Sequence, residues 1–166
     1  VRHFDRIDST NQEARRLAET GERGPLWLWA DEQTGGRGRL GRNWVSEPGN
    51  LYATFLFSVS ASLDVVAQVS FVTALAVHDT ATALCPDLAP RMAIGCGINV
   101  AHAPQGTPYP VTALGPGLAV ESVLQELDSS LSNRLKLWDE GRGFNLIRKD
   151  WTTRALGIGG HVTATL

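Results

Sequence analysis

The chain has 166 residues, 43% of them hydrophobic and 19% charged, which is the size of one domain with room for a real core. A formal net charge of -2 excludes a surface coated in positive charge for wholesale nucleic-acid binding, so any anion site is built locally by arginines. Cys85 and Cys96 supply neither a disulfide framework nor a Cys-x-x-Cys zinc site, and a reducing compartment, by default the cytoplasm, is expected. The opening "VRHFDRIDST" has no signal pattern, and no uninterrupted apolar run long enough for a bilayer is read, so no membrane role is expected.

In chain order, "VRHFDRI" alternates weakly and meets Asp8, Ser9, Thr10 and Asn11. Glu13 stands three places after Thr10, capping-box spacing, and predicts a helix with Ser9 and Thr10 at its N-terminus, a buried stripe of Ala14, Leu17 and Ala18, and Gly21 as its end. Residues 26 to 31, "LWLWAD", and 51 to 59, "LYATFLFSV", read as buried strands. Residues 65 to 84 read as one apolar helix capped by Asp64, and "MAIGCGINV" from Met92 as a strand holding Cys96 as a small packed residue. After the proline-rich residues 102 to 110 come two helical patterns. Leu118, Val123, Leu124, Leu127, Leu131, Leu135 and Trp138 mark the first, and Ile147 and Trp151 lie on the second, Phe144 to Leu156. Both read as core packing.

Between the first two strands lies "GGRGRLGRNW", residues 35 to 44. Gly36, Gly38 and Gly41 spell G-x-G-x-x-G, yet a dinucleotide fold needs a helix to begin inside the glycines. Here Pro48, Gly49 and Asn50 form a turn and a strand follows, so the match is accidental. No V-A-I-K, H-R-D or D-F-G accompanies it as in a kinase, and there is no P-loop. What remains is a loop with Arg37, Arg39 and Arg42, whose guanidinium forks suit carboxylate or phosphate oxygens, and Trp44, a flat face for a purine. Alone, three such arginines read better as an RGG-like segment or a solvated hairpin.

Their company changes that reading. "DSTNQ", "DEQTGGRGRLGRNW", "GNLYATFLF" and "IGCGINV" together resemble the biotin protein ligase family over nearly the whole chain. The resemblance implies an α+β fold, a mixed or mostly antiparallel sheet packed against helices. It implies that biotin and Mg-ATP, hence Mg²⁺, give biotinyl-5'-AMP, and that biotin then passes to a lysine of a carboxylase's biotin carboxyl carrier domain. It assigns Ser9, Thr10 and Gln33 to the ureido end of biotin, and Gly36, Arg37, Gly38 and Arg39 to the biotin-binding loop, with Arg37 and Arg39 catalytic. Arg39, Arg42, Trp44 and Asn99 fall to the adenylate, Trp44 by stacking on adenine. Leu40 stands where many members carry arginine. A homodimer is allowed; no helix-turn-helix precedes "DST", so no DNA partner is expected.

One departure is large. The family carries K-W-P-N-D and a K-x-x-G-I-L strand between its long helix and "GIN", and its lysine contacts carboxylate and phosphate. Here "CPDLAPR" runs straight into Met92, and the two lysines, Lys136 and Lys149, match no family motif. Either the ligase is degenerate or the sequence leaves out a stretch between Arg91 and Met92. The second is favoured, because a sheet stripped of interior strands exposes more core than marginal stability allows. The expected division is a catalytic domain over 1–158 and, over 159–166, the start of a small SH3-like barrel that is missing or only begun. The alternatives are a lipoate or octanoate ligase or transferase, which would be expected to lack this loop, and a non-catalytic biotin- or nucleotide-binding relative. His3, His78, His102 and His161 lack ligand spacing, so no protein-held metal is expected. His78 and Asp79, adjacent on a helix, do not face each other as a triad would.

Overall fold

A computed structural model describes residues 1–38, 44–85, 97–103, 105, 112–155 and 158. Strand β1 (Arg2–Ile7) leads into helix α1 (Thr10–Glu19), which crosses back to β2 (Leu26–Gln33), parallel to β1. Parallel neighbours require such a crossover. β3 (Leu51–Leu56) runs antiparallel to β2, with Trp29 opposite Ala53 and Leu28 opposite Thr54. The two-residue β4 (Gly97–Ile98) is antiparallel to β3. The order β1-β2-β3-β4 is thus a mixed sheet packed against helices, as expected.

Strand alternation sorts the side chains. Trp27, Trp29 and Leu51 point to a helix layer made by α3 (Val69–Leu84), α4 (Val120–Trp138) and α5 (Phe144–Arg154). Leu28 and Ala30, both 0% exposed, point the other way, towards α1, which packs on β2 and β3. Fully burying one such leucine is worth about 1.5–3 kcal/mol.

Several expectations need correction. The helix over 65–84 is two pieces, α2 (Leu63–Val66) and α3. Between them Gln68 accepts the indole N–H of Trp138 at 2.9 Å, and the turn at Gly141 crowds so close that a Cβ there would lie 2.7 Å from Val65 Cγ1. Asp64 lies inside α2 rather than ahead of one long helix. The stretch Asp64–Leu84 does pass as a membrane span by length and a mean hydropathy of 1.2. Its Val72, Leu75, Ala76 and Val77 are nonetheless sealed in the core, the position of an interior helix. Ala18 is exposed, so the stripe of α1 ends earlier than its sequence suggests. β2 runs two residues further than read, and β3 three residues less. Cys96, Arg91, Met92 and His161 lie outside the described residues.

The helix layer is closed by ion pairs as well as by apolar contact. Arg134 on α4 donates to Asp79 on α3 and to Asp150 on α5, each at 2.6 Å. Asp79, then Asp150, holds the guanidinium more firmly charged, and Arg134 in turn pulls the Asp150 carboxyl down. Asp79 is therefore a structural partner of Arg134.

Candidate active site

The carboxyl ends of the parallel pair β1 and β2 come together at one edge of α1. Beyond Ile7 the ladder continues for two steps, Thr34 N–H to Ile7 O at 2.9 Å and Gly35 N–H to Asp8 O at 2.7 Å. Ser9 is extended (φ -164°, ψ 134°) and precedes the first helical residue, Thr10. Both are buried, at 8% and 4% exposure.

The predicted capping box does not form. No side chain of Ser9 caps the helix, and the Glu13 carboxylate is drawn to Arg16 at 2.7 Å. The orphan N–H of Thr10 goes instead to Gln33 Oε1 at 2.8 Å, and the Thr10 hydroxyl reaches the same oxygen at 3.2 Å. An end residue of β2 thus caps α1, satisfying one of the free donors of a helix start. A backbone N–H demands an oxygen, so the amide of Gln33 is oriented: Oε1 faces Thr10 and Nε2 faces away.

Thr54 on β3 extends the cluster. Its Oγ1 lies 2.9 Å from Thr10 Oγ1 and 2.9 Å from Asn11 Oδ1. Asp8 braces the turn below: Arg16 grips both its oxygens at 2.9 and 3.0 Å, and Ser9 N–H donates to it at 2.7 Å. Arg16, then Ser9, holds the Asp8 carboxyl down to about 2.

The glycine-arginine loop returns to this place. Trp44 N–H donates to Gly36 O at 3.0 Å, and Gly36 is buried. A Cβ on Gly36 would sit 3.1 Å from Ser46 Oγ, 3.3 Å from Gln33 Nε2 and 3.3 Å from Trp44 O. Ser46, Gln33 and Trp44 thus close on the Gly36 backbone more tightly than a side chain there would comfortably allow. Arg37 is exposed and has no ion pair among the described residues. Gly38 follows, half-buried. Trp44, at 37% exposure, keeps an apolar face on the surface. Arg39 and Arg42, with Leu40, lie outside the described residues.

Asn99 stands apart from the cluster. It follows β4, two strands from Gln33, and its Nδ2 donates to Thr112 O at 3.1 Å. The start of β3 is tied to the same segment, since Asn50 Oδ1 accepts Val100 N–H at 2.9 Å. Tyr52, on the Thr54 face of β3, donates its hydroxyl to Glu47 O at 2.9 Å, and burial pushes that phenol up. Sequence reading passed over Thr54, Tyr52 and Ser46. The signal was present in "LYATF", where Tyr52 and Thr54 fall at i, i+2 on the face that α1 must cover.

Two other features are separate. A cavity of about 470 Å³ lies among Trp27, Trp29, Phe55, Leu124 and Asp128, on the helix-layer side, and no predicted site residue lines it. On the exposed edge His3, Asp5 and Asp31 bring possible ligand atoms within 4.8 Å of one another. His3 there pairs with Asp31 at 3.1 Å and stacks on Trp29, contacts that account for it without an ion.

The chain resembles known proteins in this same region. The sequence profile of the Biotin/lipoate A/B protein ligase family matches residues 3–108. The biotin--[acetyl-CoA-carboxylase] ligase of Paracoccus denitrificans is 32% identical over 200 residues, covering 96% of this chain and 82% of the relative. That span exceeds the 166 residues present here, so the relative holds residues with no counterpart in this sequence. Among solved structures, biotin protein ligase from Leishmania major in complex with biotin superposes with a TM-score of 0.77 at 19% identity, covering 99% of this chain and 84% of that one. Biotin protein ligase from Aquifex aeolicus in complex with biotin and ATP gives 0.75 at 24% identity, covering 94% and 78%. The structural likenesses carry the fold, and with the profile and the Paracoccus relative they establish that this chain belongs to the biotin/lipoate A/B protein ligase family.

Proposed function

We propose that the chain is the catalytic domain of a biotin protein ligase. The biotin carboxylate attacks the α-phosphorus of Mg-ATP, pyrophosphate leaves, and biotinyl-5'-AMP forms. The ε-amine of a carrier-domain lysine then attacks the acyl carbon, AMP leaves, the amide forms and the amine proton goes to solvent. The observation that carries this reading is the neutral polar cluster of Thr10, Gln33 and Thr54 at the start of α1, with Ser9 beside it. Such a set suits a cyclic urea. A dithiolane or an alkyl chain would leave those polar groups unpaired in a dry pocket.

In this reading Arg37, the one loop arginine described, meets charge developing on the carboxylate and α-phosphate, with Gly38 allowing close approach. Arg39 and Arg42 share that task, Trp44 offers its exposed face to adenine, and Asn99 stands beside the adenylate. Mg²⁺ accompanies the nucleotide and neutralises its phosphates. The partner is a biotin carboxyl carrier domain; a homodimer and a cytoplasmic location fit the same role.

The lysine that the family uses is proposed to lie in a stretch between Arg91 and Met92 that this sequence omits. The longer span of the Paracoccus relative supports this, as does the position of Lys136 and Lys149 on α4 and α5, across the sheet from α1. The natural protein should then weigh more than the 17.9 kDa of this sequence; an intact mass equal to it would contradict the omission.

The activity is tested by ligand-dependent exchange of labelled pyrophosphate into ATP. Exchange driven by biotin and not by lipoate or octanoate is expected. Exchange with lipoate alone would favour the lipoate ligase, and biotin binding with no exchange would favour a binding relative.

A further inference from the structure

Two segments meet beside the glycine-arginine loop. One is the leg by which that loop returns to β3, residues 44–50; the other follows β4, residues 99–102. Three rungs join them. Asn50 Oδ1 accepts the Val100 N–H at 2.9 Å, and Gly49 O accepts the Ala101 N–H at 3.2 Å. The outermost rung is His102 Nε2, 3.1 Å from Glu47 Oε2. Gly49 makes the middle step possible: its φ is +99°, and a Cβ there would stand 3.3 Å from Ala101 Cβ.

The rungs differ in kind. Asn50 is buried and Gly49 contributes only its carbonyl, so the fold itself sets both. The outer rung is made by two side chains, 41% and 65% exposed, and an exposed pair of this sort adds little to global stability. What it adds is local. Glu47 stands three residues after Trp44, whose N–H is tied to Gly36 O at 3.0 Å. At the other end of that short run, the Glu47 carbonyl accepts the Tyr52 hydroxyl at 2.9 Å, and the Glu47 carboxylate meets His102.

We infer that His102 is a positioning residue for the nucleotide: through Glu47 it fixes the return leg, and Trp44 with it, against the segment that carries Asn99. This rests on the biotin ligase reading above, in which Trp44 and Asn99 flank the adenylate. The effect falls on ATP and spares biotin, because Thr10, Gln33 and Thr54 are held by bonds of their own.

The test uses the full-length protein in biotin-dependent pyrophosphate exchange and thermal unfolding. Wild type is set beside His102→Leu, His102→Gln, Glu47→Ala and the double variant of His102→Leu with Glu47→Ala. Loss of one exposed pair predicts a KM for ATP raised roughly three- to fivefold in each of His102→Leu and Glu47→Ala. The double variant should be no worse than either single one, because both remove the same contact. His102→Gln, whose amide can still donate to Glu47, should recover most of the affinity. The KM for biotin and kcat should stay within about a factor of two, and Tm within about 2 °C. An unchanged KM for ATP in His102→Leu overturns the inference, and so do effects that add in the double variant. A larger fall in Tm with both KM values raised together overturns it as well, since the pair would then be structural. If wild type shows no biotin-dependent exchange, the proposed function fails and this inference falls with it; if wild type exchanges and His102→Leu matches it, only this inference fails.

Discussion

The helix-layer corner and the carboxyl end of β1 and β2 are both rich in polar groups, and they treat them in opposite ways. At the corner donors are spent inside the protein: Arg134 on Asp79 and Asp150, Trp138 on Gln68, and Trp27 on Asp128. At the strand ends some valences stay open: Ser46 Oγ, Gln33 Nε2 and the Arg37 guanidinium have no partner among the described residues. The corner holds the chain together, and the strand ends are where ligand binding is proposed. Mutations should therefore move stability in one region and catalysis in the other.

The largest separation is expected from a truncation in the closed region. Leu75, 1% exposed, should cost about 2–5 kcal/mol as Leu75→Ala. Chemical denaturation reads the loss, and the KM for biotin of the protein that remains folded should be unchanged. In the open region Arg37→Ala should do the reverse. Its side chain is exposed and is proposed to meet the developing charge, so its loss should lower kcat/KM for biotin on the order of 100-fold. Its Tm should stay within about 3 °C of wild type.

Arg134→Met sharpens the same contrast at smaller size. Its partners Asp79 and Asp150 are 28% and 40% exposed, so stranding them should cost only about 1–2 kcal/mol, with exchange kinetics untouched. The smallest effect comes from acid. The Asp8 carboxyl, at 3.8 when free and about 2 in the fold, stabilises above 3.8, and that contribution disappears as pH falls through about 2. Because the pair with Arg16 is half exposed, wild type should exceed Asp8→Asn by no more than about 2 °C in Tm at pH 5. The gap should close near pH 2.

What could be read from the sequence was local. Ser9 and Thr10 at a helix start and the glycine-arginine loop between strands are each set by residues within a few places, whereas Gln33 lies beyond the strand read over 26 to 31 and is marked only by the family resemblance. The capping box failed because it competes with a partner 23 residues away: Gln33 takes the Thr10 N–H, and Arg16 takes Glu13. The helix over 65–84 divides at a turn whose Gln68 side chain accepts the indole N–H of Trp138 from another helix, a contact no local pattern announces. Thr54 and Ser46 were passed over for a related reason. A polar residue in a strand or after a loop reads as solvent-facing until a distant segment covers it, α1 over Thr54 and Gly36 against Ser46.

The most direct test is a calorimetric titration of biotin into full-length wild type and Arg37→Ala, with the Tm of each measured beside it. Stoichiometric binding to wild type, weakened or lost in an Arg37→Ala protein of unchanged Tm, is the predicted result. Equal binding by both proteins would contradict it, because the carboxyl end of β1 and β2 would then not be where the ligand sits.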